Sequence, residues 1–232
     1  MHRRILEPAA LTEGEKRQML ALMTRYYDGV CPGAFARDLA EKTHCILLQG
    51  PSGEVLGFST QRVMALAVGG RTVHGVFSGD TIIHEDHWGS FDLHKTFAET
   101  FIPMAEAHDD FYWFLISKGY KTYKMLPLFF QSYYPSHRQA TPPEARAIMD
   151  AFGQAKYPGE YDAAAGVIVY RGEKDRLKPG FADIEPRHQK DEAIRFFQAV
   201  NPDHRRGNDL VCLASLKEAN LKGTARRLFL GR

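Results

Sequence analysis

The tetrapeptide VGGR at residues 68–71 separates two long strand-like segments, residues 54–67 and 72–83. Two consecutive glycines accept the positive φ angles that a two-residue hairpin turn requires, so the two segments are predicted to pair as antiparallel strands. Another strand is predicted at residues 43–49, where an apolar run is followed by the turn sequence GPSG. The sequence therefore predicts three consecutive antiparallel strands in this part of the chain.

Helices are predicted on both sides of these strands. Thr12 and Glu15 have the spacing of a capping box, and the residues after them follow a helical period. A short helix is expected at about 33–42. A longer helix is expected to begin after Ser90 and to kink or end at Pro103, because proline cannot donate a backbone hydrogen bond.

The segment FYWFLIS at 111–117 is apolar throughout, which predicts a central strand that is covered on both faces. The aromatic segment that follows, up to about residue 134, is expected to be partly helical. Pro127 limits the length of that helix.

Residues 141–232 are predicted to form an extension of a core made by residues 1–140. The sequence ATPPEA marks the boundary between them. The extension is expected to contain, in order, a helix in PPEARAIMDAFGQAKYP, a strand in AAAGVIVYRG, a helix in KDEAIRFFQAV, a strand in DLVCLASLK and a basic tail. We expect it to pack on the sheet of the core or to complete that sheet.

The composition is that of an ordinary soluble globular protein, with 44% hydrophobic residues, 25% charged residues and a formal charge of +2 over 232 residues. This charge balance gives no overall field that would attract nucleic acid. The three cysteines lie far apart and form no CxxC pair, which argues against a disulfide framework and a cysteine-based zinc site. No run approaches the roughly 20 apolar residues of a membrane helix, so no membrane span and a cytoplasmic location are expected.

The order of elements and the loop HEDHWGS at 84–90, between a glycine-interrupted strand and a helix, resemble the GNAT acyltransferase superfamily over about residues 12–136. The resemblance implies an α/β fold with a mixed, mainly antiparallel sheet flanked by helices. It also implies that acyl-CoA, or the acylated phosphopantetheine of an acyl carrier protein, binds as co-substrate. The residues that it implies for this binding are Thr81, Ile82 and Ile83 on the strand, and His87, Trp88, Gly89 and Ser90 in the loop.

The loop differs from the pattern of the superfamily in its acidity. Glu85, Asp86 and Asp92 place negative charge where a pyrophosphate would lie, and each would oppose it by roughly 0.3–1 kcal/mol at an exposed helix end. Three alternatives remain open: the loop accepts the pantetheine of an acyl carrier protein, it binds coenzyme A weakly, or it binds neither.

Four residues are candidates for acid–base chemistry. Asp80, at the end of a strand and next to a glycine, could accept the proton of an attacking amine, although an aspartate in a turn that bonds nearby backbone is the alternative. His84 or Glu85 could act as the base or in a water relay, and polar loop residues without chemistry are the alternative. The resemblance implies a tyrosine that protonates the departing thiolate, and we assign that role to Tyr123.

These observations favour an N-acyltransferase that moves an acyl group from a thioester to a small-molecule amine by direct attack. A non-catalytic module that binds an acyl thioester or a protein partner is the first alternative. A metal-dependent enzyme built on His84, His87 and His94 is the second, although no metal is expected. An acyl carrier protein and a second copy of the chain are partners that the sequence leaves open.

Overall fold

The computed structural model describes residues 1–172, 174–181 and 183–231. The strands, in chain order, are β1 (His2–Leu6), β2 (Tyr27–Asp28), β3 (His44–Gln49), β4 (Val55–Val68), β5 (Arg71–Ile83), β6 (Phe111–Ser117), β7 (Tyr161–Asp162), β8 (Val167–Ile168), β9 (Arg176–Leu177) and β10 (Asp209–Ser215). The α-helices are α1 (Glu13–Tyr26), α2 (Pro32–Ala40), α3 (Asp92–Glu106), α4 (Tyr120–Tyr123), α5 (Met125–Phe129), α6 (Pro143–Lys156), α7 (Glu192–Val200) and α8 (Gly223–Leu230). Within these described ranges, no helix is long and apolar enough to cross a membrane.

Eight of the strands form one sheet in the order β1-β3-β4-β5-β6-β10-β8-β7, and β2 pairs separately with β9. Every neighbouring pair in the large sheet is antiparallel except β5 and β6, which run parallel. Helices pack on both faces of this sheet. The predicted α/β fold with a mixed, mainly antiparallel sheet flanked by helices is therefore confirmed.

The hairpin between β4 and β5 follows the predicted turn. Gly69 and Gly70 have φ angles of 57° and 81°, and Val68 pairs with Arg71 across the turn. Further along β5, a Cβ atom on Gly75 would lie 2.4 Å from a ring carbon of Phe114 on β6. Glycine at this position therefore allows the two parallel strands to pack closely.

Strand β6 lies between β5 and β10 and is covered on both faces, as predicted. On one face, the Phe114 ring stacks on Phe152 of α6 with ring centroids 4.8 Å apart. On the other face, the Trp113 ring packs 5.3 Å from Phe97 of α3. The apolar sequence of β6 reflects burial on both sides of the sheet.

The amino-terminal half differs from the sequence prediction in two places. The capping box of Thr12 and Glu15 is present at the start of α1, but β1, which pairs with β3 at the sheet edge, was not predicted. Helix α3 contains Pro103 and continues to Glu106, so of the two effects expected of Pro103, a kink or an end, the end is wrong. A proline this close to the last turn removes one hydrogen bond from a helix that is already packed along its length.

In the carboxy-terminal part, β10 pairs with β6 and carries β8 and β7 with it into the same sheet. The strand predicted in AAAGVIVYRG is limited to the two residues of β8. The predicted basic tail is instead helix α8. The ring centroid of its Phe229 lies 4.8 Å from that of Phe129 on α5. Glu173, Ala182 and Arg232 of this predicted extension lie outside the described residues.

Candidate active site

The two parallel strands of the sheet separate at one end and leave a fork between them. The β5–β6 ladder runs from His74 opposite Phe111 to Ser78 opposite Leu115. Beyond Ser78, β5 remains paired with β4 as far as Ile83, whereas β6 remains paired with β10. Among the described residues, the backbone groups of β5 that point away from β4 beyond Ser78 have no strand partner, and apart from the Ile83 carbonyl, which accepts from Trp88, they are available to a ligand.

A β-bulge lies at the base of the fork. The ladder between β4 and β5 shifts register at residues 59–61, so that Gly79 and Asp80 of β5 lie opposite the single residue Thr60. Bulges of this kind change the direction of a side chain relative to a regular strand. The bulge explains why Asp80 does not line the apolar cavity that its neighbours Ser78 and Thr81 line.

A cavity of about 540 Å³ extends from the fork between the sheet and the helices α3 and α5. Most of its wall is apolar, and the larger side chains in it include Phe91, Phe97, Trp113, Met125, Phe129 and Phe229. Six of the predicted co-substrate residues also line it, namely Thr81, Ile82, Ile83, Trp88, Gly89 and Ser90. The cavity has the size and the apolar wall that are usual for a small-molecule site.

The loop between β5 and α3 forms the mouth of this cavity. The indole Nε1 of Trp88 donates a hydrogen bond to the Ile83 carbonyl at 2.9 Å, and the Lys121 ammonium lies 4.7 Å from the centre of the Trp88 ring. Gly89 has a φ angle of 94°, which a residue with a Cβ atom rarely adopts. His87 lies in the same loop but is not part of the cavity wall.

Helix α1 pairs with one of the three acidic side chains of the loop, Glu85. The Arg25 guanidinium and the Tyr26 hydroxyl both donate hydrogen bonds to the Glu85 carboxylate, and the Arg25 Nε bond is 2.9 Å long. These bonds, led by that of Arg25, lower the pKa of Glu85 to about 2. A carboxylate held in this way is a poor proton acceptor, so the structure does not support Glu85 as the base.

The three histidines of the predicted metal alternative do not converge. The His84 Nδ1 accepts a hydrogen bond from the Asp86 backbone, and the His84 ring centroid is 6.4 Å from that of His87. His94 instead lines the apolar cavity. Across the part of the chain that the structure describes, no group of three or more His, Cys, Asp or Glu side chains could hold a metal ion.

Asp80 lies where the fork meets a cluster of charged side chains. Burial, with a smaller effect of the Asp38 carboxylate, raises the pKa of Asp80 to about 6, although the Lys42 ammonium opposes the shift. Among the described residues, the Asp80 carboxylate has no hydrogen-bond donor and no cation within ion-pair distance. A carboxylate that is ionised at neutral pH and unpartnered can accept a proton from a ligand.

The charged cluster beside Asp80 is built around Lys118 at the end of β6. The Lys118 ammonium donates hydrogen bonds to the carboxylate and the backbone carbonyl of Asp175 at 2.7 and 2.8 Å, and it lies 3.9 Å from the Asp209 carboxylate. The Tyr170 hydroxyl donates to Asp209 at 2.7 Å. Burial raises the pKa of Asp209, whereas two ammonium groups outweigh burial and lower the pKa of Asp175. The cluster therefore provides a polar, partly desolvated surface next to the fork.

Tyr27 connects the cavity with the charged cluster, and the sequence did not predict a role for it. Its side chain is part of the cavity wall, and burial together with the nearby Asp80, Asp175 and Asp209 carboxylates raises its pKa. Its hydroxyl has no hydrogen-bond partner in the described part of the chain. The sequence pattern assigns Tyr27 to the apolar face of α1, whereas it begins β2, which pairs with β9.

Tyr123 is not placed as the sequence predicted. Its ring is fully buried between Tyr133 and Phe197, and its hydroxyl donates to the Pro135 carbonyl at 2.9 Å. Its neighbours Lys121 and Thr122 line the cavity instead. Because α4 is only one turn long, the sequence gives no periodicity from which to tell which of its residues face the core.

No protein-family model matches the sequence, and no curated protein matches it either. Many solved structures are similar to this one in part of the chain, and three of them are described below. A protein from Enterococcus faecalis described as a probable N-acyltransferase has 10% identity and a TM-score of 0.40, and the alignment covers 54% of this chain and 32% of that one.

A GNAT-family N-acetyltransferase from Escherichia coli, solved in complex with CoA, has 13% identity and a TM-score of 0.37, with 50% of this chain and 62% of that one covered. A GCN5-related N-acetyltransferase from Kribbella flavida has 17% identity and a TM-score of 0.39, with 57% and 34% covered. The chain thus spans less than two thirds of the length of each of these proteins.

Proposed function

We propose that this protein is an N-acyltransferase that moves an acyl group from an acyl-CoA thioester to a small-molecule amine by direct attack. One observation carries the proposal: Asp80, an unpartnered carboxylate, lies at the fork between an apolar cavity and a charged cluster. The cavity suits the thioester and the pantetheine arm of the donor. The charged cluster suits a polar acceptor. In this proposal, Asp80 would approach the reacting nitrogen from the side of the charged cluster, since it does not line the apolar cavity itself.

The donor would enter through the mouth beside Trp88 and Gly89 and extend along the open edge of β5. The backbone groups of residues 81–83 that point away from β4, other than the Ile83 carbonyl that accepts from Trp88, support hydrogen bonding to the amides of a pantetheine arm or to the thioester carbonyl. Because Arg25 and Tyr26 bind the Glu85 carboxylate, the loop repels phosphate less than its sequence indicates. Lys121 adds a cation at the same mouth.

In the proposed reaction, the amine nitrogen attacks the thioester carbonyl carbon and loses a proton to the Asp80 carboxylate. The C–N bond forms, the C–S bond breaks, and the thiolate takes a proton. Tyr27 is the proposed donor of that proton, since its side chain lines the cavity and its hydroxyl is unpartnered in the described chain, and the proton taken up by Asp80 then restores the tyrosine. The amide and the free thiol are the products, so atoms and charges balance.

A thiol-release assay tests this proposal. The full chain is incubated with acyl-CoA species and a panel of primary amines, and free CoA is measured together with the amide product. We expect amine-dependent release that Asp80→Asn reduces by about 10²–10⁴-fold, the usual contribution of a general base. Asp109→Asn, which removes an exposed carboxylate from the loop before β6, is the matched control and should retain full activity.

The outcomes separate the proposed enzyme from its alternatives. Amine-dependent turnover that is equal in Asp80→Asn and wild type would remove Asp80 from the reaction. Binding of acyl-CoA without turnover on any amine would favour a non-catalytic thioester-binding module. Turnover with an acylated carrier protein and not with acyl-CoA would mean that the carrier protein, and not CoA, delivers the acyl group.

A further inference from the structure

One region of the cavity is bounded by residues of α3, α5 and α8 and of the segment just before α8. Five buried apolar side chains bound this region, which we call the acyl arm: Ala98, Ile102, Phe129, Leu221 and Phe229. Each of them is at most 5% exposed. Helix α8 therefore contributes to the wall of the same cavity that begins at the open edge of β5.

We propose that the acyl arm holds a long hydrocarbon chain, so that the donor is a fatty acyl thioester rather than an acetyl thioester. This inference rests on the proposed function for the thioester and on the cavity wall for the chain. An acetyl group presents one methyl group and would leave the acyl arm empty. The pantetheine arm carries two amides, which the apolar wall of the acyl arm would leave without hydrogen bonds.

The chemistry of the wall favours a hydrocarbon over a polar ligand. His94 is the polar side chain adjoining the acyl arm, and its ring packs 5.4 Å from Phe129 and 6.0 Å from Phe91. Burial lowers the pKa of His94 to about 4, so the imidazole is uncharged at neutral pH. Thus none of the described residues that bound the acyl arm carries a charge with which a carboxylate or phosphate could pair.

The mouth of the cavity also has an apolar surface. Trp88, Phe91 and Leu128 line the cavity and are 50%, 37% and 45% exposed, respectively. Large apolar side chains at the rim lower the cost of passing a hydrocarbon chain from water into the cavity. The rim and the acyl arm together form a continuous apolar path to the base of the fork.

Free saturated fatty acids test the chain-binding part without requiring catalysis. Acids from acetate to palmitate are titrated into the full chain and the dissociation constants are measured by calorimetry. We expect affinity to rise about two- to fourfold for each added methylene until the acyl arm is full. Equal affinity for all lengths, or no binding of any length, would overturn the proposal.

The two tryptophans of the chain locate the bound acid, because both line the cavity. In Trp88→Phe, the remaining indole is Trp113 at the fork. A brominated fatty acid should quench Trp113 fluorescence at the concentration at which it binds. Binding that leaves Trp113 unquenched would place the acid elsewhere and contradict the proposal.

Variants of the wall give a second readout. Ala98→Leu narrows the acyl arm and should weaken palmitate binding more than octanoate binding, whereas Phe229→Ala lengthens it and should favour longer acids. Ala155→Leu, the same substitution on the exposed side of α6, is the control and should change neither affinity. If Ala98→Leu unfolds, the fluorescence and length series on the folded chain still decide the question.

The failure of this inference differs from the failure of the proposed function. If fatty acids bind and quench Trp113 but no acyl-CoA is turned over, the acyl arm is supported and the proposed transferase is contradicted. If acetyl-CoA is turned over with an amine but no fatty acid binds, the transferase is supported and the acyl arm is contradicted.

Discussion

The indole Nε1 of Trp113 donates a hydrogen bond to the Ser78 hydroxyl at 2.8 Å, at the last rung of the parallel ladder before β5 and β6 separate. Both residues are buried, at 7% and 4% exposure, so water does not readily replace either partner. The bond joins β6 to β5 at the base of the fork. It therefore fixes the width of the opening in which the thioester is proposed to lie.

Loss of this bond should destabilise the fold measurably. In Ser78→Ala, the Trp113 N–H remains buried without its partner, and we expect the free energy of unfolding to fall by about 1–3 kcal/mol. Urea unfolding of Ser78→Ala, Trp113→Phe and the double variant gives the coupling between them, expected at about 0.5–3 kcal/mol for a direct contact. Strictly additive single effects would mean that the bond does not contribute to stability.

Asp80 should give the proposed reaction a pH dependence. Its pKa is raised to about 6, so the carboxylate is ionised at neutral pH and becomes protonated as the pH falls through that value. We expect kcat/KM to decrease below about pH 6 in wild type, with a limb that is absent from the residual activity of Asp80→Asn. A wild-type profile without this limb would count against Asp80 as the base.

The same pKa predicts an effect of Asp80 on stability, with the opposite sign to that of a paired aspartate. Because the folded pKa of Asp80 lies above the unfolded value, the folded state binds more protons between pH 3.8 and about 6 and gains stability as the pH falls through this window. Asp80→Asn should therefore be more stable than wild type above pH 6, and the difference should shrink toward pH 4. Denaturant midpoints measured across this range provide the test.

Two tyrosine variants separate the sequence prediction from the structure. Tyr27→Phe removes the hydroxyl that lies at the cavity wall, and we expect kcat to fall by about 10²-fold or more if Tyr27 protonates the thiolate. Tyr123→Phe removes a hydroxyl that donates to the Pro135 carbonyl, so it should lower stability by about 1 kcal/mol and leave kcat unchanged. The reverse pattern would restore the original assignment to Tyr123.

The contact between Arg25 and Glu85 should control how the loop receives an anion. Arg25→Ala frees the Glu85 carboxylate at the mouth, and we expect the KM for acyl-CoA to rise and to decrease again as salt screens the charge. The double variant Arg25→Ala with Glu85→Gln removes the freed charge and should restore a KM close to that of wild type. If the double variant remains as impaired as Arg25→Ala, then Arg25 itself contacts the donor.

Local sequence chemistry predicts the parts of the fold that depend on neighbouring residues. Gly69 and Gly70 define the hairpin because their φ requirement is local, and the apolar run of β6 indicates burial wherever the strand lies. The edge strand β1 and the helix α8 are stabilised mainly by distant partners on β3 and α3, so their short segments carry little periodic signal.

The site is less predictable because its key relationships are non-local. The Arg25–Glu85 pair joins residues that are 60 positions apart, and nothing in the loop sequence indicates it. The position of Asp80 depends on a one-residue shift of register against β4, which strand alternation cannot reveal. The position of Tyr27 is also non-local, because Tyr27 begins β2, which pairs with β9.

His94 should make the protein sensitive to acid. Its Nδ1 is buried without a partner in the described chain, and burial lowers its pKa from 6.5 to about 4. The unfolded state therefore binds more protons between these two values, so stability is fully present above pH 6.5 and is lost as the pH falls toward 4.

His94→Leu removes both the titration and the unpartnered nitrogen. We expect the stability difference between His94→Leu and wild type to grow by about 1–3 kcal/mol from about pH 7.5 to about pH 4.5, as measured by urea unfolding. His108→Leu is the control: it also removes one histidine, but His108 does not line the cavity. A difference that stays constant over this range would show that the His94 imidazole titrates normally and is exposed to water.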